Sequence, residues 1–369
     1  MREGWEYKKL GDSCVIEYGT RVVQKKDGGT IYPVYGGGGE TFRMDKYNRE
    51  NCLVVARFAM SRTCVRYVTG KFFLNDSGLS INAGKELLQS YLNHHILHLN
   101  DDIYNLGKGA AQRNLDVNSF RNLIIPVPPL STQLSIVSEL DKINELIRLK
   151  KEQLKDYDNL AQSIFYEMFG DPVVNEKGWE VKKLGEVALI KTGPFGSMLH
   201  KEDYITGGIP LINPMHIQNF KAVPDKDFSI SKEKAAELCN YQLKINDVIF
   251  ARRGDIGRCA VISDKEAGYL CGTGSLFVRF ERKLSSIYTM YVVRTTSFIK
   301  ELVSKAKGAT MLNLNSSTME NLRFPLPPLP LQQLFAQRIE LIEKQKAEVQ
   351  RTIKALETLL ASRMQYWFD

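Results

Sequence analysis

The sequence is poor in the features that mark most known chemistry. Its six cysteines (Cys14, Cys52, Cys64, Cys239, Cys259, Cys271) form no Cys-x-x-Cys pair in 369 residues. That excludes a zinc ribbon and a disulfide framework and leaves reduced thiols. No stretch approaches the roughly 18 apolar residues of a membrane span. The opening Met1-Arg2-Glu3-Gly4-Trp5 carries no apolar leader segment. A cytoplasmic protein with no membrane attachment is the expectation. The run Gly36-Gly37-Gly38-Gly39 is followed by no Walker lysine and lacks the strand-to-helix context of a nucleotide loop. His94 and His98 stand four apart without the glutamate of a zinc-protease helix. Asp171 with Glu180-Val181-Lys182 fits the spacing of a metal-dependent nuclease. The matching Glu6-Tyr7-Lys8 has no such aspartate, so both segments read as strands. Asn213-Pro214-Met215-His216 lacks the second proline and the aromatic residue of an amino-group methyltransferase tetrad. No Ser-His-Asp set stands out. The chain is therefore assigned no catalytic residue, no metal ligand and no cofactor.

What it does contain is a repeat. Gly4-Trp5-Glu6-Tyr7-Lys8-Lys9-Leu10-Gly11 returns as Gly178-Trp179-Glu180-Val181-Lys182-Lys183-Leu184-Gly185, with seven of eight positions identical at an offset of 174. Lys108 to Gln133 matches Lys307 to Gln332 without a gap, at an offset of 199 and with 12 of 26 positions identical. The second copy thus carries about 25 extra residues in its middle. Pro126-Val127-Pro128-Pro129-Leu130 and Pro325-Leu326-Pro327-Pro328-Leu329 close the globular part of each copy. Such stiff, donor-poor segments mark a boundary. The expected order is a globular unit over 1–130, a helix over 131–170, a second unit over 171–330 and a helix over 331–369.

After each proline segment the apolar residues recur by threes and fours. The first stripe runs through Ile136, Leu140, Ile143, Ile147, Leu154, Tyr157, Ala161, Ile164 and Met168. The second runs through Phe335, Ile339, Ile342, Val349, Ile353, Leu356, Leu360 and Trp367. This 3.5-residue period is that of a coiled-coil seam, interrupted by Lys150 in the first helix and by Lys346 and Arg363 in the second. Helices of roughly 57 Å at 1.5 Å per residue need a partner, and an intervening globular unit lets the second return antiparallel to the first. Leu53 to Arg57 and Val248 to Arg252 read as corresponding buried strands. Gly36 to Gly39, Gly207-Gly208 and Gly272-Thr273-Gly274 read as turns, and Lys85 to Leu99 and Ile287 to Lys305 as helical pieces. The fold class expected is α+β: two similar units with irregular, mostly antiparallel sheets, two long helices forming an antiparallel coiled coil, and internal pseudo-twofold symmetry.

The formal charge is +8, and it is not spread evenly. The two helical segments are close to neutral, whereas the rest of the chain holds 39 basic and 30 acidic residues, a net of +9. A polyanion is the natural partner of such units. Arg57, Arg62 and Arg66 follow the first strand, and Arg252, Arg253 and Arg258 follow the second. Arginine suits bidentate contact with guanine edges and phosphates. Lys108 and Lys307 open a second pair of recurring loops, where glycine permits close backbone approach. Arg21, Tyr35, Arg113, Ser197, Asn213, Thr273 and Thr310 complete the candidate DNA contacts.

Together the GWExKKLG openings, the loop Phe250-Ala251-Arg252-Arg253-Gly254-Asp255-Ile256-Gly257, the Lys-Gly-Ala-Thr…Asn-Leu run from Lys307 to Leu314 and the two Pro-x-Pro-Pro-Leu elements resemble the specificity (S) subunit of type I restriction-modification systems over the whole chain. The resemblance implies two target-recognition domains, each reading half of a bipartite, asymmetric double-stranded DNA site, held apart by the coiled coil. It further implies docking of two modification (methyltransferase) subunits, joined by restriction (translocase and endonuclease) subunits. S-adenosylmethionine, ATP and Mg²⁺ belong to those partners, and the chain itself has no catalysis. The first copy departs from the pattern: Val55-Ala56-Arg57-Phe58-Ala59-Met60 stands where the second has the Arg-Arg-Gly-Asp loop, and Lys108-Gly109-Ala110-Ala111-Gln112 where it has Lys-Gly-Ala-Thr. Two other readings compete with this one, a coiled-coil assembly scaffold that binds no DNA and a Mg²⁺-dependent nuclease.

Overall fold

The computed structural model describes residues 2–110, 112–195, 197–280, 284–306 and 313–369. Lys307 and Thr310, both expected DNA contacts, lie outside these residues, as does Ala111. The chain forms two compact units, Met1–Glu152 with Val349–Asp369 and Gln153–Glu348. Each unit thus holds one globular part and half of both long helices.

In unit 1, strand β1 (Glu6–Lys9) pairs antiparallel with the proline-bearing strand Ile124–Val127. The main sheet contains β2 (Cys14–Tyr18), β3 (Tyr32–Gly36), β4 (Gly39–Met44), β5 (Arg49–Ala56), β6 (Val65–Leu74) and β7 (Gly78–Ala83), in the order β2-β7-β5-β6-β3-β4. All neighbours are antiparallel except β3 and β6. Leu53, Val54 and Val55 of β5 are all buried, as befits a strand covered on both faces. Unit 2 repeats the plan. Glu180–Lys183 pairs with Arg323–Leu326, and a four-stranded sheet runs Ala188–Thr192, Ser275–Phe280, Val248–Ala251, Cys259–Val261. A second sheet holds one parallel pair, Ile209–Ile212 with Leu270–Cys271.

The expected helical pieces differ in their bounds. The first begins only at Gln89 and ends at His98, after a turn in which Leu87 N–H bonds the Gly84 carbonyl. The second is two helices, Ser286–Arg294 and Thr296–Lys305, because Thr295 leaves the helical backbone and caps the second through Phe298 N–H. Local periodicity runs across that break, so it is invisible to a count of apolar spacing.

The central helix spans Leu130–Phe169 and the C-terminal helix Leu329–Phe368, with Pro330 in the first turn where a missing N–H is tolerated. Leu140, Ile143, Ile147, Ile339, Ile342, Val349 and Ile353 are buried, and Leu154, Tyr157, Ile164, Leu356 and Leu360 half-buried. In unit 1 Glu139 binds Arg363 and Lys151 binds Glu357 at 2.8 Å; in unit 2 Asp158 binds Lys346 at 2.9 Å and Met168 Sδ accepts from Arg338 at 3.8 Å. Within each unit the partner number falls as the first number rises, so the helices run antiparallel. Two of the charged interruptions in the seam, Lys346 and Arg363, are thereby used as cross-helix pairs.

Equivalent anchors tie helix to sheet in both units. Gln133, fully buried, donates to Pro128 O and accepts from Leu88 N–H; Gln332, equally buried, donates to Pro327 O and accepts from Ser285 N–H, all at 2.8 Å. Tyr91 and Tyr288 each donate at 3.1 Å to the carbonyl of the first proline of their own segment, Pro126 and Pro325. Phe368 packs against Tyr91 in unit 1, and Phe169 against Tyr288 in unit 2. The cysteines are free and all but Cys239 are buried; burial pushes the Cys14 thiol up to about 12. No helix among the described residues is long and apolar enough to cross a membrane.

Candidate nucleic-acid interface

The end of the central strand organises the site in each unit. In unit 1, Arg57 follows β5; its N–H donates to Ser77 O at 2.8 Å and its carbonyl accepts from Leu115 N–H at 2.9 Å. Ala56 N–H reaches Cys64 O at 2.8 Å and closes the loop between them. In unit 2, Arg252 N–H donates to Gly274 O at 3.1 Å, Arg252 O accepts from Leu314 N–H at 2.8 Å, and Ala251 N–H reaches Arg258 O at 2.9 Å. Gly19 N–H bonds Gly78 O and Gly193 N–H bonds Ser275 O. A Cβ on either glycine would overlap a backbone carbonyl, that of Asn75 or Gly272. The same backbone frame thus gathers the same four loops in both units.

The side chains on that frame are basic and aromatic. In unit 1 the Arg57 guanidinium lies 4.8 Å from the Tyr18 ring centroid and 4.5 Å from that of Phe58. Arg62 and Arg113 lie 5.2 and 4.8 Å from the Tyr104 ring. Arg113 O also accepts from Met60 N–H at 2.9 Å, joining the loops of Arg57 and Lys108. Arg66 donates to Gly37 O at 2.8 Å, which fixes the Gly36–Gly39 hairpin tip beside them. Lys108 pairs with Asp116 at 2.5 Å, and this contact, with help from Ser119, holds the Asp116 carboxyl down at about 2. The lysine is 79% exposed, so the pair is weak and the ammonium remains available to a stronger anion. Arg21 is exposed on the loop after β2, whereas Tyr35 is half-buried edge-on to Phe72 at 5.5 Å.

Unit 2 distributes its charges differently. Arg252 is only 9% exposed; its Nε donates to Asn313 Oδ1 at 3.2 Å, and burial holds its pKa below the usual arginine value. The side chain thus braces the loop on which Arg253 is exposed. Arg253 is exposed, and Arg258 is exposed and paired with Asp255 at 2.7 Å. Asn213 caps the short Pro214–His216 helix and presses against Gly272, beside the turn that carries Thr273. Ser197 is exposed in the next loop.

The residues weighed and set aside as nuclease or metal ligands have ordinary local partners. Asp171 accepts from Val173 and Val174 N–H, Glu180 pairs with Lys182, His94 bonds Asp141 and His98 bonds Asp369. Among the described residues no group of three or more His, Cys, Asp or Glu is placed to hold a metal ion. Sequence reasoning missed Tyr18, Phe58, Tyr104, Asn313 and the glycine pair. Two of these had a signal, since Gly19 and Gly193 repeat at the offset of 174 and Asn114 and Asn313 at that of 199.

A family model described as the type I restriction modification DNA specificity domain matches residues 2–156 and again 176–358. The type I restriction enzyme MjaIX specificity subunit of Methanocaldococcus jannaschii is 22% identical over 280 residues, 71% of this chain and 63% of that protein. The chain thus spans less than two thirds of that relative's length. Its fold is similar to the type I restriction-modification S subunit from M. genitalium, with a TM-score of 0.57, 16% identity and coverage of 99% of this chain and 96% of that one. It is also similar to a chain solved in a study of complex assembly and conformational transition of the type I R-M system, with a TM-score of 0.60, 20% identity and coverage of 99% and 97%. With both halves matched by one family model, the chain belongs to the type I restriction modification DNA specificity domain family.

Proposed function

We propose that this chain is the non-catalytic DNA-reading subunit of a type I restriction-modification complex acting in the cytoplasm. Residues 1–130 and 171–330 each read half of a bipartite, asymmetric duplex site, and the helices 131–170 and 331–369 set the gap and dock two modification subunits, which restriction subunits join. S-adenosylmethionine, ATP and Mg²⁺ act on those partners. The observation that carries this reading is the backbone frame at Arg57 and Arg252, which recurs in both units and gathers basic loops at the end of the sheet. A common frame supplies common phosphate contacts, while differing side chains supply different base readout.

Mapping the sites methylated by the assembled complex on a randomised duplex library tests it. Two selected half-sites around an unselected gap are expected, and binding should weaken steeply with salt. A single contiguous motif, or binding indifferent to salt, would overturn the reading. Inserting four residues, about one turn, into one long helix should change the gap and leave the half-sites unchanged.

A further inference from the structure

Two half-sites differ through positions where the units differ, and the comparison is sharpest where different side chains follow a shared backbone frame. Arg57 and Arg252 are the same residue in the same frame, Arg57 half-buried on two rings and Arg252 buried, so this pair offers no difference in residue type. The next residue does differ. Phe58 in unit 1 occupies the place of Arg253 in unit 2, and both are exposed, Phe58 to 37%.

The backbone equivalence continues one residue further. Ala59 has φ +47° and Gly254 has φ +77°, so both loops make the same left-handed turn just after the exposed residue, although an alanine rarely adopts it. Beyond that point the loops part. Met60 is buried against Gly107 in unit 1, whereas Asp255 pairs with Arg258 in unit 2. Position 58/253 is therefore the place where two loops that leave the same frame present chemically opposite, accessible side chains, Phe58 in a bend and Arg253 in a single β-bridge with Asn313.

We infer that position 58/253 is a specificity-determining position: Phe58 reads a thymine methyl in one half-site, and Arg253 reads a guanine in the other. The Phe58 ring offers no hydrogen bond and fits the apolar C5-methyl of thymine, while a guanidinium fork matches guanine O6 and N7. The Arg57 guanidinium 4.5 Å from the Phe58 ring anchors it at the loop tip. Among the described residues the Arg253 side chain makes no hydrogen bond or ion pair, and it is exposed. The inference rests on the DNA-reading function proposed above.

The test is the methylated-site map of the complete complex carrying exchanged residues. F58R should change one base of one half-site from thymine to guanine, with a preference on the order of tenfold or more, and leave the gap and the other half-site as they were. F58L should retain thymine, and R253F should change guanine to thymine in the opposite half-site. The inference is overturned if F58R keeps the wild-type base preference, or if it alters both half-sites. Should F58R fail to assemble, R253F and R253Q decide from the other unit, where retained guanine overturns the inference. Failure of the underlying function would appear differently, as a wild-type complex that selects no bipartite site.

Discussion

Arg57 and Arg252 stand on one backbone frame and live in different surroundings. Arg57 is half-buried between two aromatic rings, within a loop cluster rich in cations. Arg252 is sealed in and bonded to Asn313, leaving Arg253 exposed beside it. A recurring residue type therefore marks a recurring backbone position and not a recurring ligand contact. The hydrogen-bonding groups of the main chain have to be satisfied in the same way in both copies. The side chains at the rim carry no such constraint and are free to diverge.

The same contrast runs through the cores and can be broken at three points. The largest effect is expected at the start of the long helices, where Phe335 of unit 2 packs on Phe165, Phe169 and Tyr291, and the equivalent residue of unit 1 is Ile136. Phe335→Ala should cost about 3–5 kcal/mol, measured by urea unfolding, and more than Ile136→Ala; equal costs would show that the aromatic cluster adds nothing.

Next is the response to acid. His95 is buried and stacked on Phe368 at 4.7 Å, whereas its counterpart in unit 2 is the buried Val292. Burial first, and His98 second, push the His95 pKa down to about 3, while in the unfolded chain a histidine titrates near 6.5. Between those values the unfolded chain binds more protons. Stability is therefore complete above about pH 6.5 and is lost as the pH falls toward 3, by about 2 kcal/mol at pH 5. Melting curves at pH 7.5 and 5 should show this loss, and His95→Val should flatten it.

The smallest effect lies in the paired left-handed residues. Gly254→Ala, whose Cβ would meet no atom within 4 Å, should cost about 1–2 kcal/mol through backbone strain alone. Ala59→Gly should gain less than about 1 kcal/mol, because relief of that strain is offset by the freedom of glycine in the unfolded chain. A gain in the first and a loss in the second would refute the equivalence of the two turns.

Much of the architecture is legible along the chain. The repeated GWExKKLG segments are the first strands of the two units, the proline segments pair with them, and the stripes from Ile136 and Phe335 are the seam of the helix pair. These are local or periodic signals. The parallel pairing of β3 with β6 and the burial of Arg252 are not legible, because each depends on a partner far away in sequence, and the split at Thr295 is not, because its local cap at Phe298 leaves the apolar period unbroken. The candidate site was half legible for the same reason. Its arginines follow recognisable strands, whereas Tyr18, Phe58 and Tyr104 gain meaning only beside guanidinium groups that other loops deliver.

The sequence by itself determined that this protein is one design used twice, with near-neutral helices and basic globular units, since repetition, helical period and charge are properties of the chain. Tertiary structure alone decided which of the equivalent side chains are spent inside and which face outward. That choice is made by the carbonyls, rings and amides of loops that meet at the end of a sheet, and no spacing along the chain records it.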